Sequence, residues 1–305
     1  MEISREDFVV IGKNIEQSQV LVRPSMTYFQ DAWRRLKYNK AALLALVFLV
    51  LLTVMAVFGP MMYSYSYSDQ DLSMVDKAPG IGGHIFGTDS LGRDLFVRIW
   101  VGARISLFIG IAGAVIEFFI GIVYGGIAGY LGGYADEVMM RIVDILFTIP
   151  NLVIVILLIM VMGPGLHTII IAIALTNWLG MARLVRGQTL QLREQEFVLA
   201  ARTLGADGKR IIMKHLIPNT IGPIIVRLTF AIPGAIFTEA FLSFIGLGVP
   251  APLASWGSLA AAGQRTLTTS PWQTFFPALF ISLAMLSFNI IGDGLRDALD
   301  PRLRK

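Results

Sequence analysis

The sequence predicts an all-α, polytopic membrane protein with six transmembrane helices, and three observations carry that prediction. The 305 residues are 55% hydrophobic and only 15% charged, with a mean hydropathy of +0.68, whereas a soluble domain carries about 25% charged residues. Long apolar runs recur, most near the ~20 residues that a helix needs to cross a hydrocarbon core of about 30 Å. Lys and Arg concentrate in alternate connecting segments, as orientation in a bilayer requires.

Residues 1–40 are polar and form a cytoplasmic N-terminal segment. Arg34, Arg35, Lys37 and Lys40 crowd before the first apolar run, with Trp33 and Tyr38 as interface anchors. That run, Ala41 to Phe58, is apolar apart from Thr53 and is ended by Gly59 and Pro60. It starts too far into the chain for a secretory leader, and no small-residue cleavage site follows, so none is expected. Residues 41–103 thus hold the first membrane helix and an extracytoplasmic loop. In that loop Asp89 is expected to cap a short amphipathic helix whose face is Leu91, Leu95 and Ile99.

Residues 104–305 form the core of five further membrane helices. The second span, about 104–130, carries Gly113, Glu117, Gly121, Gly125, Gly129 and Gly133, each four residues apart. Neighbours at that spacing share a helix face, and small residues in a row let helices approach closely in lipid. A short link leads to the third span, about 143–162, bent near Pro150. The fourth covers about 168–186, the fifth about 220–246 and the sixth about 274–292. Between the last two, VPAPLASWGSLAAAGQ is too short and broken to cross and is expected as a re-entrant or surface helix.

Six spans put both termini on one side. With that side cytoplasmic, the inside segments hold seven Lys or Arg in residues 1–40, one at Arg141, seven from Arg183 to Lys214 and four from Arg296 to Lys305. The outside holds five: Lys77, Arg93, Arg98, Arg104 and Arg265. The reverse orientation breaks the positive-inside rule.

Several chemistries are excluded by residue type. There is no cysteine, hence no disulfide, thiol nucleophile or thiolate-bound metal. No Walker A, HExxH or GxSxG sequence occurs, and His84, His167 and His215 are scattered. Nothing suggests nucleic-acid binding, since the net charge of +4 is explained by its distribution across the membrane. Buried charge is the remaining route. Glu117 and Glu239 lie inside spans, where ionisable groups are costly and mark functional sites by default. The alternative reading is that each bonds to backbone or to a partner subunit. Arg227 is expected to snorkel to the cytoplasmic interface.

The segment within loop 187–219 that organises the chain is FVLAARTLGADGKRIIMKHLIPN, Phe197 to Asn219, a basic island between apolar runs. It reads as two short helices at an angle. Phe197, Ala200, Ala201 and Leu204 fall at i, i+3, i+4 and i+7 and share one face. Gly205 closes the first helix in the left-handed conformation. Asp207, next to Ala206, accepts from the amides that begin the second. Ile211, Ile212 and Leu216 form the second apolar face, with Lys209, Arg210 and Lys214 pointing elsewhere, His215 packing with a polar tip, and Pro218 ending the helix. Two readings stand at this level: a loop held inside by its charge, or a docking element.

The same segment resembles the coupling motif of ABC importer permeases, matching at Ala200, Ala201, Gly205 and Pro218. It departs at Leu199, where the motif has glutamate, and at His215, where the wider pattern has isoleucine; the ending HLIPN is similar to the peptide-importer branch. AWRRLKYNKAALLAL, FGTDSLGRDLFVRIWVGARISL, LSFIGLGVPAPLASWG and NIIGDGLRDALDPRLRK likewise resemble the second, C-type permease subunit of dipeptide and oligopeptide importers. The resemblance implies a type I ABC importer permease fold in a prokaryotic cell membrane. It also implies a second permease of similar fold sharing the pore, one or two cytoplasmic ATPase subunits and an extracytoplasmic peptide-binding protein. No cofactor is expected on this chain, the ATP and Mg being used by the partner ATPases, and the chain itself is not an enzyme. Coupling to the ATPase would fall to Ala200, Ala201, Gly205, Ala206, Asp207, Lys209, Arg210, His215 and Pro218, as a lever that carries ATPase closure to the pore. Two alternatives remain: a nickel or other small-solute importer, and, from another class, a proton-coupled secondary transporter using Glu117 or Glu239.

Overall fold

The structure, a computed structural model, describes residues 28–299. Residues 1–27 of the expected N-terminal segment and residues 300–305 lie outside the described residues. Helices are the regular structure of the described residues, whose one β-feature is an isolated bridge between Thr88 and Asp94. Five helices are long and apolar enough to cross a membrane, and a bent pair makes a sixth.

Helix α1 (Tyr28–Tyr38) is amphipathic, burying Ala32 and Leu36 against the far end of the chain at Ala298 and Leu299. Asn39 then caps α2 (Lys40–Phe58), its side-chain oxygen accepting from Ala42 N at 3.1 Å. As expected, α2 stops at Gly59-Pro60, which open a 3-10 turn (Gly59–Met62).

The 63–94 insert is tightly tied down. His84 Nδ1 meets Asp94 Oδ2 at 2.7 Å, and both residues are buried. Gln273 Nε2 donates to Asp76 Oδ1 at 2.6 Å and to the Thr88 carbonyl at 3.1 Å. Phe86 stacks on Phe276 with ring centres 4.2 Å apart. Asp89 caps no helix: it accepts from Leu91 N and Arg93 N within a turn. The cap belongs to Asp94, whose Oδ1 accepts from Val97 N at 2.8 Å and starts α3 (Leu95–Leu131) there rather than near 104. The first turns of α3 carry Arg98, polar on a linear reading. Here it is buried, donating to the Tyr67 carbonyl at 2.9 Å.

Helix α3 (Leu95–Leu131) packs along α6 (Leu166–Leu192), and the glycine stripe is the seam. A Cβ on Gly121 would lie 2.4 Å from Met181 Cβ, and one on Gly125 2.3 Å from the Ala182 carbonyl oxygen. A Cβ on Gly129 would lie 2.7 Å from Thr189 Cβ and 2.8 Å from the Arg186 carbonyl oxygen. Gly133 is not part of the seam; it has φ +54° and opens the next helix with nothing nearby.

The expected link before the third span is itself helical. Helix α4 (Gly133–Thr148) and α5 (Asn151–Met162) form one unit bent by 81°, the break falling at Pro150, whose ring cannot continue α4. At the basic end of the bundle, arginines tie α4 to α6. Arg186 binds Asp136 through Nε and Nη2 at 2.7 and 2.6 Å, and Arg183 Nη2 meets Asp144 at 2.8 Å. Helix α6 itself runs past the expected end at 186 to Leu192.

Helix α7 (Glu196–Thr203), α8 (Gly208–Arg210), a π turn (Ile211–Leu216) and α9 (Ile217–Phe244) follow. Helix α10 (Trp256–Gln264) begins with a reciprocal Ser255/Ser258 capping box. It is not a surface helix: Trp256 is fully buried, and its Nε1 donates to the Ile99 carbonyl at 3.1 Å. Helix α11 (Trp272–Leu299) packs on α9, α10 and α2.

Candidate coupling surface and the buried carboxylates

Helix α7 anchors itself by one residue. Val198 is fully buried and packs with Ile211 and Leu216, beside Tyr130 and Leu192. The opposite face, Phe197, Ala200 and Leu204, is exposed, with Ala201 half-buried at its edge and Leu204 87% exposed. The apolar face read from the sequence is therefore the outward face. In a helix of eight residues this leaves an apolar face largely exposed among the described residues. Leu199, 44% exposed, stands beside it.

The turn after α7 follows from two residue types. Gly205 has φ +83°, the left-handed region that other residues enter at a cost, and its amide together with that of Ala206 closes back on the α7 carbonyls of Arg202 and Ala201. Asp207 then caps α8, its Oδ1 accepting from Arg210 N at 2.9 Å. Ala206 is half-buried in the Val198 cluster, while Lys209, Arg210 and Lys214 are exposed. His215 is half-buried, its ring 6.5 Å from that of Phe197, so the two short helices touch through this pair.

Pro218 does not end the second helix. The π turn widens the spiral so that Ile217 N bonds to the Ile212 carbonyl, five residues back. The proline then sits in the first turn of α9, where a missing N–H is tolerated. Asn219 Nδ2 donates to the His215 carbonyl at 2.6 Å, tying the π turn to the start of α9. Gly208 to Phe244 is thus one continuous helical run of 37 residues, with Pro223 and Pro233 inside it.

Both intramembrane carboxylates have partners. Glu117, 1% exposed, accepts from Arg227 Nε at 3.0 Å, joining α3 to α9. Arg227 is thus held in an ion pair instead of snorkelling. Glu239 is fully buried and accepts from Ser106 Oγ at 3.2 Å and Ser243 Oγ at 2.7 Å. Ser106 Oγ also accepts from Trp256 N at 3.1 Å, so this cluster pins α10 to α3 and α9. Neither bond set was visible in the sequence, because Glu117 and Arg227 stand 110 residues apart and Ser106 and Glu239 stand 133 apart. No group of three or more His, Asp or Glu suited to a metal occurs among the described residues.

Residues 121–305 match the family described as binding-protein-dependent transport system inner membrane component, and residues 27–79 match the N-terminal transmembrane domain of oligopeptide transport permease C. The chain is 53% identical over 303 residues to the oligopeptide transport system permease protein OppC of Bacillus subtilis, covering 99% of each. It is 53% identical to the dipeptide transport system permease protein DppC of the same organism, covering 100% of this chain and 95% of that protein. Identity to the OppC protein of Escherichia coli is 44%, over 94% of this chain and 95% of the other. Among solved structures, the inward-facing MetNI methionine ABC transporter is similar in fold, with a TM-score of 0.50 at 18% identity over 66% of this chain and 97% of that one.

Proposed function

Because the chain belongs to the inner-membrane components of binding-protein-dependent transport systems, in the oligopeptide and dipeptide permease branch, we propose that it forms half of an ATP-driven peptide pore and couples that pore to cytoplasmic ATPases through α7 and α8. The chain is a multi-pass, non-catalytic transport subunit with the fold of an ABC importer permease. Its partners are a second permease, one or two ATPases that use ATP and Mg, and an extracytoplasmic peptide-binding protein. Both termini face the cytoplasm of a prokaryotic cell.

The observation that carries the coupling role is the exposed apolar face of Phe197, Ala200 and Leu204. It sits on an element fixed to the membrane part through Val198, and the adjoining α8 runs without a break into α9. A groove on an ATPase that covers this face would move α9 when the ATPase pair closes. Glu117, Glu239, Ala206, Asp207 and His215 serve this machine as structural groups, holding α3, α9, α10 and the α7–α8 turn in register. Lys209 and Arg210 supply a positive rim for the docked subunit.

The experiment is uptake of a labelled peptide into proteoliposomes holding the permease pair and its ATPases, with loaded binding protein on the outside. Uptake should require internal or accessible ATP and should be indifferent to a pH gradient. Uptake driven by a pH gradient without ATP would instead support the proton-coupled reading. Uptake of nickel in place of peptide would move the substrate assignment.

A further inference from the structure

Toward the basic end of the bundle an arginine is built into a cavity that the coupling role leaves unexplained. Arg227 lies seven residues into the expected span 220–246, about 10 Å along it. Its side chain is 42% exposed while that of Glu117, its ion-pair partner, is 1% exposed.

The side chain lines a cavity of about 500 Å³ between α6, α9 and α11, whose apolar walls include Leu184, Val226 and Phe230 and whose second guanidinium is Arg296. Glu117 takes Nε only. Among the described residues no hydrogen bond engages Nη1 or Nη2, so both remain able to meet a carboxylate. Gly180 makes the room: a Cβ there would lie 2.4 Å from Arg227 Nη2. The charge is also partly balanced by Glu117, which suits a site that must hold an anion briefly and release it.

We propose that Arg227, anchored by Glu117, receives a carboxylate of the transported peptide as it nears the cytoplasmic end of the pore. The proposal rests on the peptide-import reading above. A peptide with a free C-terminus always carries that group, whatever its side chains, so one fixed guanidinium serves a varied substrate pool.

The test compares a tripeptide with a free C-terminus and the same peptide amidated, each delivered on saturated binding protein to the complete importer in phosphatidylcholine vesicles. Wild type should take up the free acid about tenfold faster, the scale of one charge-assisted hydrogen bond. Arg227→Gln should level the two peptides by slowing the acid alone, and Arg227→Lys should keep part of the preference. Since Arg227→Gln strands a buried carboxylate, the double variant Glu117→Gln/Arg227→Gln gives a folded neutral control that should also show no preference. Gly180→Ala displaces the guanidinium without removing its charge and should weaken the preference several-fold. Equal uptake of both peptides by wild type would overturn the proposal, as would variants that slow both peptides alike. An Arg227 effect that appears only when phosphatidylglycerol is added would overturn it too, assigning the site to a lipid phosphate. Failure of wild type to import either peptide under ATP would strike the peptide-import reading itself.

Discussion

Gly125 and Gly126 are adjacent in α3, yet alanine should act on them in opposite directions. At Gly125 the new Cβ meets backbone: the Ala182 carbonyl oxygen at 2.3 Å, with Ala182 C and Arg186 N at 3.0 Å. An ordinary contact is about 3.4 Å or more, so α3 and α6 must part by about 1 Å at their closest approach, and backbone cannot swing aside as a side chain can. Overpacking of this kind costs about 1–3 kcal/mol. At Gly126 the nearest atom is Ile212 Cγ2 at 3.7 Å, an ordinary contact. Alanine there keeps the packing and gains about 0.5–1 kcal/mol from the lower conformational freedom it surrenders in a helix interior. The assay is thermal or SDS-titrated unfolding of the purified permease pair in one detergent, followed by tryptophan fluorescence. Gly125→Ala should unfold earlier and Gly126→Ala at or above the wild-type midpoint. Equal shifts for the two, or a Gly125→Ala protein as stable as wild type, would refute the seam as the basis of α3–α6 packing.

Gly205→Ala forces a side chain into φ +83°, at about 1–2 kcal/mol. With no atom within 4 Å of the new Cβ, the strain stays in the α7–α8 turn. Membrane insertion and midpoint should hold while peptide-stimulated ATPase activity falls several-fold; unchanged stimulation would argue against a required turn. Glu239→Leu removes the acceptor of two buried serine hydroxyls and should cost about 1–3 kcal/mol, whereas Glu239→Gln keeps an acceptor and most of the stability. ATP-driven uptake by the Gln variant should keep the wild-type pH profile, and a lost or shifted profile would return Glu239 to a proton-carrying role.

The spans were legible because each is a long apolar run bounded by Gly, Pro or charge, and the seam because its glycines recur at helical spacing. Gly205 and Asp207 were legible since a left-handed cap and a helix cap each select a narrow set of residue types. What escaped was settled by distant partners. Asp89 and Asp94 are equally good caps on paper, and burial of Arg98 against the Tyr67 carbonyl decides for Asp94. Pro218 reads as a stop because proline breaks an α-helix, yet a π turn before it carries the chain through. The outward face of α7 had the opposite difficulty: periodicity found the apolar face and could not say which way it points. Val198, the residue that points inward, sits one position from Phe197 and had no signal of its own beyond being β-branched and apolar.

The central claim is that the Phe197–Leu204 face of α7 seats an ATPase. The chain has no cysteine, so a single one introduced at Leu204, 87% exposed, is a unique probe. With a bifunctional thiol–amine reagent on the assembled importer, Leu204→Cys should cross-link to the ATPase subunit, and the yield should change when ATP closes the ATPase pair. Leu267→Cys, at the opposite end of the bundle, should give no such product. Cross-linking from Leu267 and none from Leu204, in a complex that still hydrolyses ATP, would contradict the account.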